Sequence, residues 1–226
     1  MPERARPYAR PVADIAAVLW DLDGTLVDTE PIWMAGEHAL ADEHGAVWTD
    51  EDGLKLVGNS LIDAGHYIRA RLGVDLTPEQ IVDQLVDRVA SALAEHVPWR
   101  PGAVELITAL ADEGVPQALV TMSYESIAAP VAAALPFQAV VTGDRVTHGK
   151  PHPEPYLRAA EMLGVDAADC VAVEDSVTGA TSANAAGCFV IVVPHVVNVP
   201  EAPRRVLVRT LDGLSPSDVH ALAGGA

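Results

Sequence analysis

Six polar side chains stand just beyond short apolar runs, and their types suit one chemistry. Asp21 and Asp23 follow Ile15–Trp20, Thr121 and Ser123 follow Ala118–Val120, and Glu174 and Asp175 follow Cys170–Val173. Lys150, which with Lys55 makes up the whole lysine content of the chain, precedes the helical segment leading to Cys170–Val173. Carboxylates crowded in this number repel one another unless their pKa values rise or a cation holds them ionised. Hard oxygen ligands select Mg²⁺, which keeps waters and accepts one or two carboxylates plus substrate oxygens. Such a set suits phosphoryl transfer, in which metal and cations meet the charge on the transferred group. Asp21 would attack phosphorus, and Asp23 would protonate the leaving oxygen and then deprotonate water. Gly24 would let the backbone approach the phosphate. Asp-x-Asp-Gly alone is also an ordinary turn with Asx hydrogen bonds. The partners downstream argue for chemistry.

The elements that must bring these residues together are legible as runs. Ile15–Trp20, Ala118–Val120, Ala139–Val141, Cys170–Val173, Phe189–Val193 and a weaker Val206–Val208 read as buried strands. Between them lie helical patterns at Ala103–Glu113, Ser126–Leu135, Pro155–Leu163 and Thr178–Ala186. The alternation predicts an α/β fold with a parallel sheet covered on both faces, whose ligand site lies beyond the carboxyl ends of the strands. One interval breaks the rhythm: Trp33–His44, Glu51–Val57, Leu61–Leu72 and Pro78–His96 read as helices, closed by Pro98-Trp99-Arg100-Pro101-Gly102. A helical module is therefore inserted after the first strand. Residues 1–13 are expected to form a disordered leader, 14–30 and 101–226 a Rossmann-like core, and 31–100 a small all-helical cap.

Composition narrows the partners. The 226 residues carry 32 acids and 14 bases, a net charge of −18, so nucleic acid and anionic membrane are excluded as partners. No apolar stretch is long enough to span a bilayer, and Met1–Arg10 lacks the apolar segment of a secretory signal, so cytoplasmic residence is expected. Cys170 and Cys188 each open an apolar run and are read as reduced core thiols. No heptad or repeated apolar stripe is visible, and a monomer is expected.

The motifs carry a family resemblance. The string Asp21-Leu22-Asp23-Gly24-Thr25-Leu26-Val27-Asp28-Thr29-Glu30 resembles the first motif of the haloacid dehalogenase-like hydrolases. Leu119-Val120-Thr121 is similar to their second motif, Gly149-Lys150-Pro151-His152-Pro153 to the third, and Val173-Glu174-Asp175-Ser176 to the fourth. The resemblance implies a Rossmann-like core with a small helical cap after strand one, as in the β-phosphoglucomutase-like branch. It implies Mg²⁺ at Asp21, the Asp23 carbonyl and Asp175 with Glu174 close by, a phosphate-binding hydroxyl at Thr121, and a cation between nucleophile and phosphoryl group at Lys150. Dehalogenases of the superfamily lack the second aspartate, so Asp23 points to phosphate esters.

The leading expectation is a Mg²⁺-dependent phosphatase of a small phosphomonoester, a sugar or polyol phosphate, working through an aspartyl phosphate. The runner-up is a phosphomutase of the β-phosphoglucomutase type. Those mutases place a histidine where this chain has Trp33, and an arginine after Gly-x-Ser where Gly58-Asn59-Ser60 is followed by Leu61. Lys55, Arg69 or His66 could supply the missing cation. A signalling receiver domain shares clustered acids, a Thr and a Lys, but is about half this length and has neither the cap nor an acid two residues past its acceptor. Gly24, Thr121, Ser123, Lys150 and Asn59 are the expected substrate contacts, Asn59 from a break between cap helices. Trp33 and Trp48 are read as packing, and His148 and His152 as surface loop residues.

Overall fold

The apolar runs become one parallel sheet of six strands: β1 (Ala17–Trp20), β2 (Gln117–Val120), β3 (Ala139–Val141), β4 (Cys170–Glu174), β5 (Phe189–Val192) and β6 (Arg205–Leu207). The computed structural model describes residues 14–56 and 60–225, so the expected 1–13 leader and Asn59 lie outside the described residues. Every residue of β1, β2, β4 and β5 is buried, as a sheet covered on both faces requires. β1 is shorter than the run that announces it, and β6 starts one residue before its weak Val206–Val208 run and is a partly exposed edge strand, not the buried strand expected.

The spatial order is β3-β2-β1-β4-β5-β6. From β1 the chain steps outward to β2 and β3, then returns to pair β4 with the other side of β1, placing Trp20 opposite both Leu119 and Val173. Crossovers therefore leave β1 and β4 in opposite directions, and the crevice between their carboxyl ends is where an open α/β sheet binds ligands.

Helices α5 (Ala103–Asp112), α6 (Glu125–Ala134) and α9 (Pro216–Gly224) cover one face through Leu106, Ile107, Ile127, Val131 and Val219. Helices α7 (Glu154–Leu163) and α8 (Val177–Ala185) cover the other through Tyr156, Ala159 and Ala180. α9 is absent from the sequence reading. Its signal is the capping box of Ser215 and Asp218 with Pro216 in the first turn, easily passed over without a strand behind it. Cys170 and Cys188 are free and buried as expected, and burial pushes the Cys170 thiol up to about 12.

Between β1 and α5 lie α1 (Glu30–Glu43), α2 (Asp50–Leu54), α3 (Leu61–Leu72) and α4 (Pro78–Glu95). Each of the last three has a side chain at its N-cap: Thr49, Ser60 and Thr77 accept from backbone N–H groups three residues on. α1 starts three residues before its expected Trp33, because Pro31 fits the first turn behind Thr29. Leu40, Trp48, Ile68, Ile81 and Leu85 form a core among these helices. On α4, Val82, Val86, Val89 and Leu93 join Leu22, Leu26 and Ile127 instead, so this helix belongs to both cores. The entering and leaving segments pair with each other: Asp28 N–H donates to Pro98 O at 2.9 Å, and Arg100 N–H to Leu26 O at 2.8 Å. Among the described residues no helix is long and apolar enough to cross a membrane.

Candidate active site

β1 ends at Trp20, and the next residues turn over the rim of the sheet. Gly24, at φ 81°, permits the turn and leaves room, since a Cβ there would lie 2.1 Å from Asp175 Oδ2. The turn points Asp21 and Asp23 toward the crevice from positions two residues apart. Lys150 reaches in from the loop before α7. Its Nζ donates to Asp21 Oδ1 at 2.6 Å, Glu174 Oε1 at 2.7 Å and Val120 O at 2.9 Å. Burial opposes the charge of Lys150, but Asp21 and Glu174 outweigh it and push its pKa up, so the ammonium is held charged.

Glu174, at the end of β4, is fully buried. Its Oε1 also accepts from Tyr156 O–H at 2.6 Å, and its Oε2 from Ser176 O–H at 3.1 Å. A Cβ on Gly179 would fall 1.8 Å from Oε1, so the first turn of α8 is shaped around this carboxylate.

Asp23 faces a different set. Thr29 O–H donates to its Oδ1 at 2.8 Å, while Thr121 O–H at 3.0 Å and Ser123 O–H at 2.7 Å donate to Oδ2. Thr121 is fully buried with its hydroxyl turned to Asp23; Ser123 lines the cleft, as do Asp21, Asp23, Gly24, Lys150 and Asp175.

The electrostatics ask for a cation. One carboxylate oxygen from each of Asp21, Glu174 and Asp175 lies within 4.8 Å of the others. Burial, then Glu174, lifts the Asp21 pKa to about 7 despite Lys150. Burial, then Asp21 and Glu174, pushes Asp175 well above the usual carboxylate range. One ammonium does not balance three buried carboxylates, and the glycine at 24 keeps the space beside Asp175 clear. The donor set is all oxygen, and it fits a hard divalent cation such as Mg²⁺.

A cleft of about 190 Å³ extends from these residues to α1–α4, where Glu30, Trp33, Glu37, Gly53, Leu61 and Leu85 line it. None of Lys55, Arg69 and His66 does. Lys55 and Arg71 instead meet the buried Asp52. Among the cleft residues to which the sequence gives no role, two carry ionisable side chains just where they face the cleft: His195 and Glu37. His195 stands just past β5, its Nε2 3.4 Å from Asp28 Oδ1, and looking beyond that strand end as beyond the others would have found it. Glu37 lies mid-helix in α1, where no local signal marks it. Trp33 packs as expected and also lines the cleft. His148 and His152 are exposed, and His148 Nδ1 lies 2.9 Å from Glu154.

The model of the haloacid dehalogenase-like hydrolase family matches residues 15–187. Hexitol phosphatase A of Escherichia coli (strain K12) is 34% identical over 191 residues, 80% of this chain and 84% of that protein. Phosphoglycolate phosphatase of Shigella boydii is 32% identical over 214 residues, 84% and 85% of the two chains. The crystal structure of CbbY from Rhodobacter sphaeroides in complex with phosphate superposes with a TM-score of 0.78 at 26% identity, covering 90% of this chain and 98% of that one.

Proposed function

The chain belongs to the haloacid dehalogenase-like hydrolases, and we propose that it is a Mg²⁺-dependent phosphatase of small phosphomonoesters, sugar or polyol phosphates, working through an aspartyl phosphate on Asp21. The observation that carries the reading is Lys150 bridging Asp21 and Glu174 at the point where the strand order reverses, with Asp23 held beside them.

Asp21, the Asp23 carbonyl and Asp175 would hold Mg²⁺, with Glu174 behind them fixing Lys150. The cation, when bound, neutralises the phosphoryl oxygens and keeps Asp21 ionised. Lys150 fixes the orientation of the Asp21 carboxylate through Oδ1. Asp21 attacks phosphorus, the ester P–O bond breaks, and the departing alkoxide takes its proton from Asp23. Asp23, now a carboxylate, removes a proton from the water that attacks the phosphoryl group, and Asp21 leaves as the carboxylate it was. Thr121 and Ser123 orient Asp23 for both transfers, Ser123 and Lys150 face the phosphate from the cleft wall, and Gly24 lets the phosphate approach. We further assign 14–30 and 101–226 to a catalytic core and 31–100 to a cap that closes over substrate, the paired segments at Asp28–Pro98 and Leu26–Arg100 serving as its hinge.

A mutase must hold a bisphosphate while it turns over, and charge-assisted contacts from a cap cation are the means. Trp33 and Leu61 line the cleft at the positions where mutases of this branch carry histidine and arginine, which favours hydrolysis. The test is phosphate release from a panel of phosphorylated metabolites with Mg²⁺, ranked by kcat/KM, for wild type and Asp21→Asn. The expected result is turnover by wild type and none by the variant. Retained turnover by Asp21→Asn, or isomerisation of glucose 1-phosphate faster than phosphate release, would overturn the reading.

A further inference from the structure

We infer that Glu37, locked by Trp48, is the residue that selects substrates whose far end is uncharged and bears hydroxyls, and rejects those ending in a second anion; the inference rests on the phosphatase reading above. Glu37 sits on the wall of the cleft supplied by α1, only 5% exposed. Trp48 Nε1–H donates to its Oε2 at 3.1 Å, and Oε1 accepts from no described residue. The position is built around the carboxylate. Gly53, inside α2 where glycine weakens a helix, leaves the carboxylate its place, because a Cβ would lie 2.8 Å from Glu37 Oε2 and push it aside.

No described lysine or arginine meets Glu37, and His38, the basic residue that acts on it, pairs with Asp50 at 2.9 Å. Among the described residues of α1–α4, none of those lining the cleft is a lysine or arginine, and Glu30 adds a second carboxylate to the same wall. The nearby cations are engaged elsewhere: Arg71 with Asp52 and Arg88 with Glu43. A carboxylate accepts hydrogen bonds and donates none, so what completes Oε1 is a donor on the substrate. Hydroxyls of a polyol or sugar supply donors without charge. A carboxylate or second phosphate would instead meet two uncompensated negative groups in a partly desolvated wall, where repulsion is little screened. The Lys150 end of the cleft takes the transferable phosphate, and this end reads the rest of the molecule.

The experiment uses a matched pair, glucitol 6-phosphate and 6-phosphogluconate, which differ only in a terminal CH₂OH against COO⁻. With Mg²⁺ at pH 8, above the pKa of about 7 that burial gives Glu37, so that the carboxylate is ionised, the ratio of their kcat/KM values cancels the amount of active enzyme. Wild type is expected to favour the alcohol by about 100-fold, a penalty that like-charge repulsion in a partly desolvated wall supplies. Glu37→Gln keeps volume and an acceptor for Trp48 while removing the charge, and is expected to lower the ratio by about tenfold, chiefly by admitting the acid. Glu37→Asp keeps the charge and is expected to go on rejecting the acid. A wild-type ratio near one, or a ratio unmoved in Glu37→Gln, would overturn the inference. So would glucosamine 6-phosphate turning over more than about tenfold faster than glucose 6-phosphate, since the carboxylates would then be recruiting a cation. Failure of wild type to release phosphate from either member of the pair and from p-nitrophenyl phosphate would overturn the phosphatase reading itself.

Discussion

The ammonium of Lys150 lies 2.6 Å from the carboxylate of Asp21, with 5% and 9% of the two side chains exposed. An ion pair this dry owes its existence to mutual compensation, and each partner alone is a liability. Lys150→Met, close in volume, leaves Asp21 and Glu174 facing each other without their shared cation. We expect a loss of about 3 kcal/mol in urea unfolding, the lower end of what breaking a buried pair costs, together with loss of turnover. The double variant Lys150→Met/Asp21→Asn should recover part of that stability. Wild-type stability in Lys150→Met would mean that the pair is not buried as described.

Asp175 tests the cation from the opposite direction. Burial together with Asp21 and Glu174 pushes its pKa well up, so its charge burdens the metal-free protein. In chelator, Asp175→Asn is expected to melt a few degrees above wild type. Added Mg²⁺ should raise the melting temperature of wild type by mass action and leave the variant unmoved. Equal response of both proteins to Mg²⁺ would remove Asp175 from the metal site.

Glu37 carries a pH signature of its own. Burial, only partly offset by the Trp48 hydrogen bond, raises its pKa from 4.5 to about 7. Between those values the folded chain holds a proton that the unfolded chain has released, so this residue makes stability fall as pH rises through that window. The stability of Glu37→Gln relative to wild type should therefore improve between pH 5 and pH 8, by at most about 3 kcal/mol. Urea unfolding at the two pH values checks it. A difference that is constant across the window would show that Glu37 titrates normally.

Asp52 has the opposite sign. Arg71, above all, holds its carboxyl well below the usual carboxylate range, with Thr49 and Tyr67 adding hydrogen bonds. A depressed pKa contributes stability that is present above the unfolded value of 3.8 and lost as pH falls through the folded one. Asp52→Asn should lower the melting temperature by a few degrees at pH 7, with the gap to wild type closing at strongly acid pH. A gap that persists unchanged in acid would assign the effect to packing.

The candidate constellation is legible in the sequence because its cues are local. A continuous apolar run that stops at Asp or Thr marks a buried strand and the residue just beyond it, and parallel topology gathers all such ends on one rim. Asp21, Asp23, Thr121, Ser123, Glu174 and Asp175 were found this way, and the scarcity of lysine marked Lys150. The expected and observed limits of Leu61–Leu72 coincide, set by Ser60 at the N-cap and by Gly73 in the left-handed conformation. The same rule, carried one strand further, would have reached His195.

The sequence by itself determined the alternation of strands and helices, the helical insertion after β1 and the types of side chain at the strand ends, since each is written in neighbouring residues. Only the tertiary structure decided what the insertion presents to the cleft. Glu37 is one carboxylate among many on an acidic chain until the packing of α1 against α2 and α4 brings it to Trp48 and Gly53. It also decided that Thr121 turns to Asp23, and that Lys55 and Arg71 turn to Asp52, away from the cleft. A strand end is fixed by backbone pairing that period and composition reveal. The aim of a side chain within a helical bundle depends on helix rotation and neighbour volume, which no local pattern encodes.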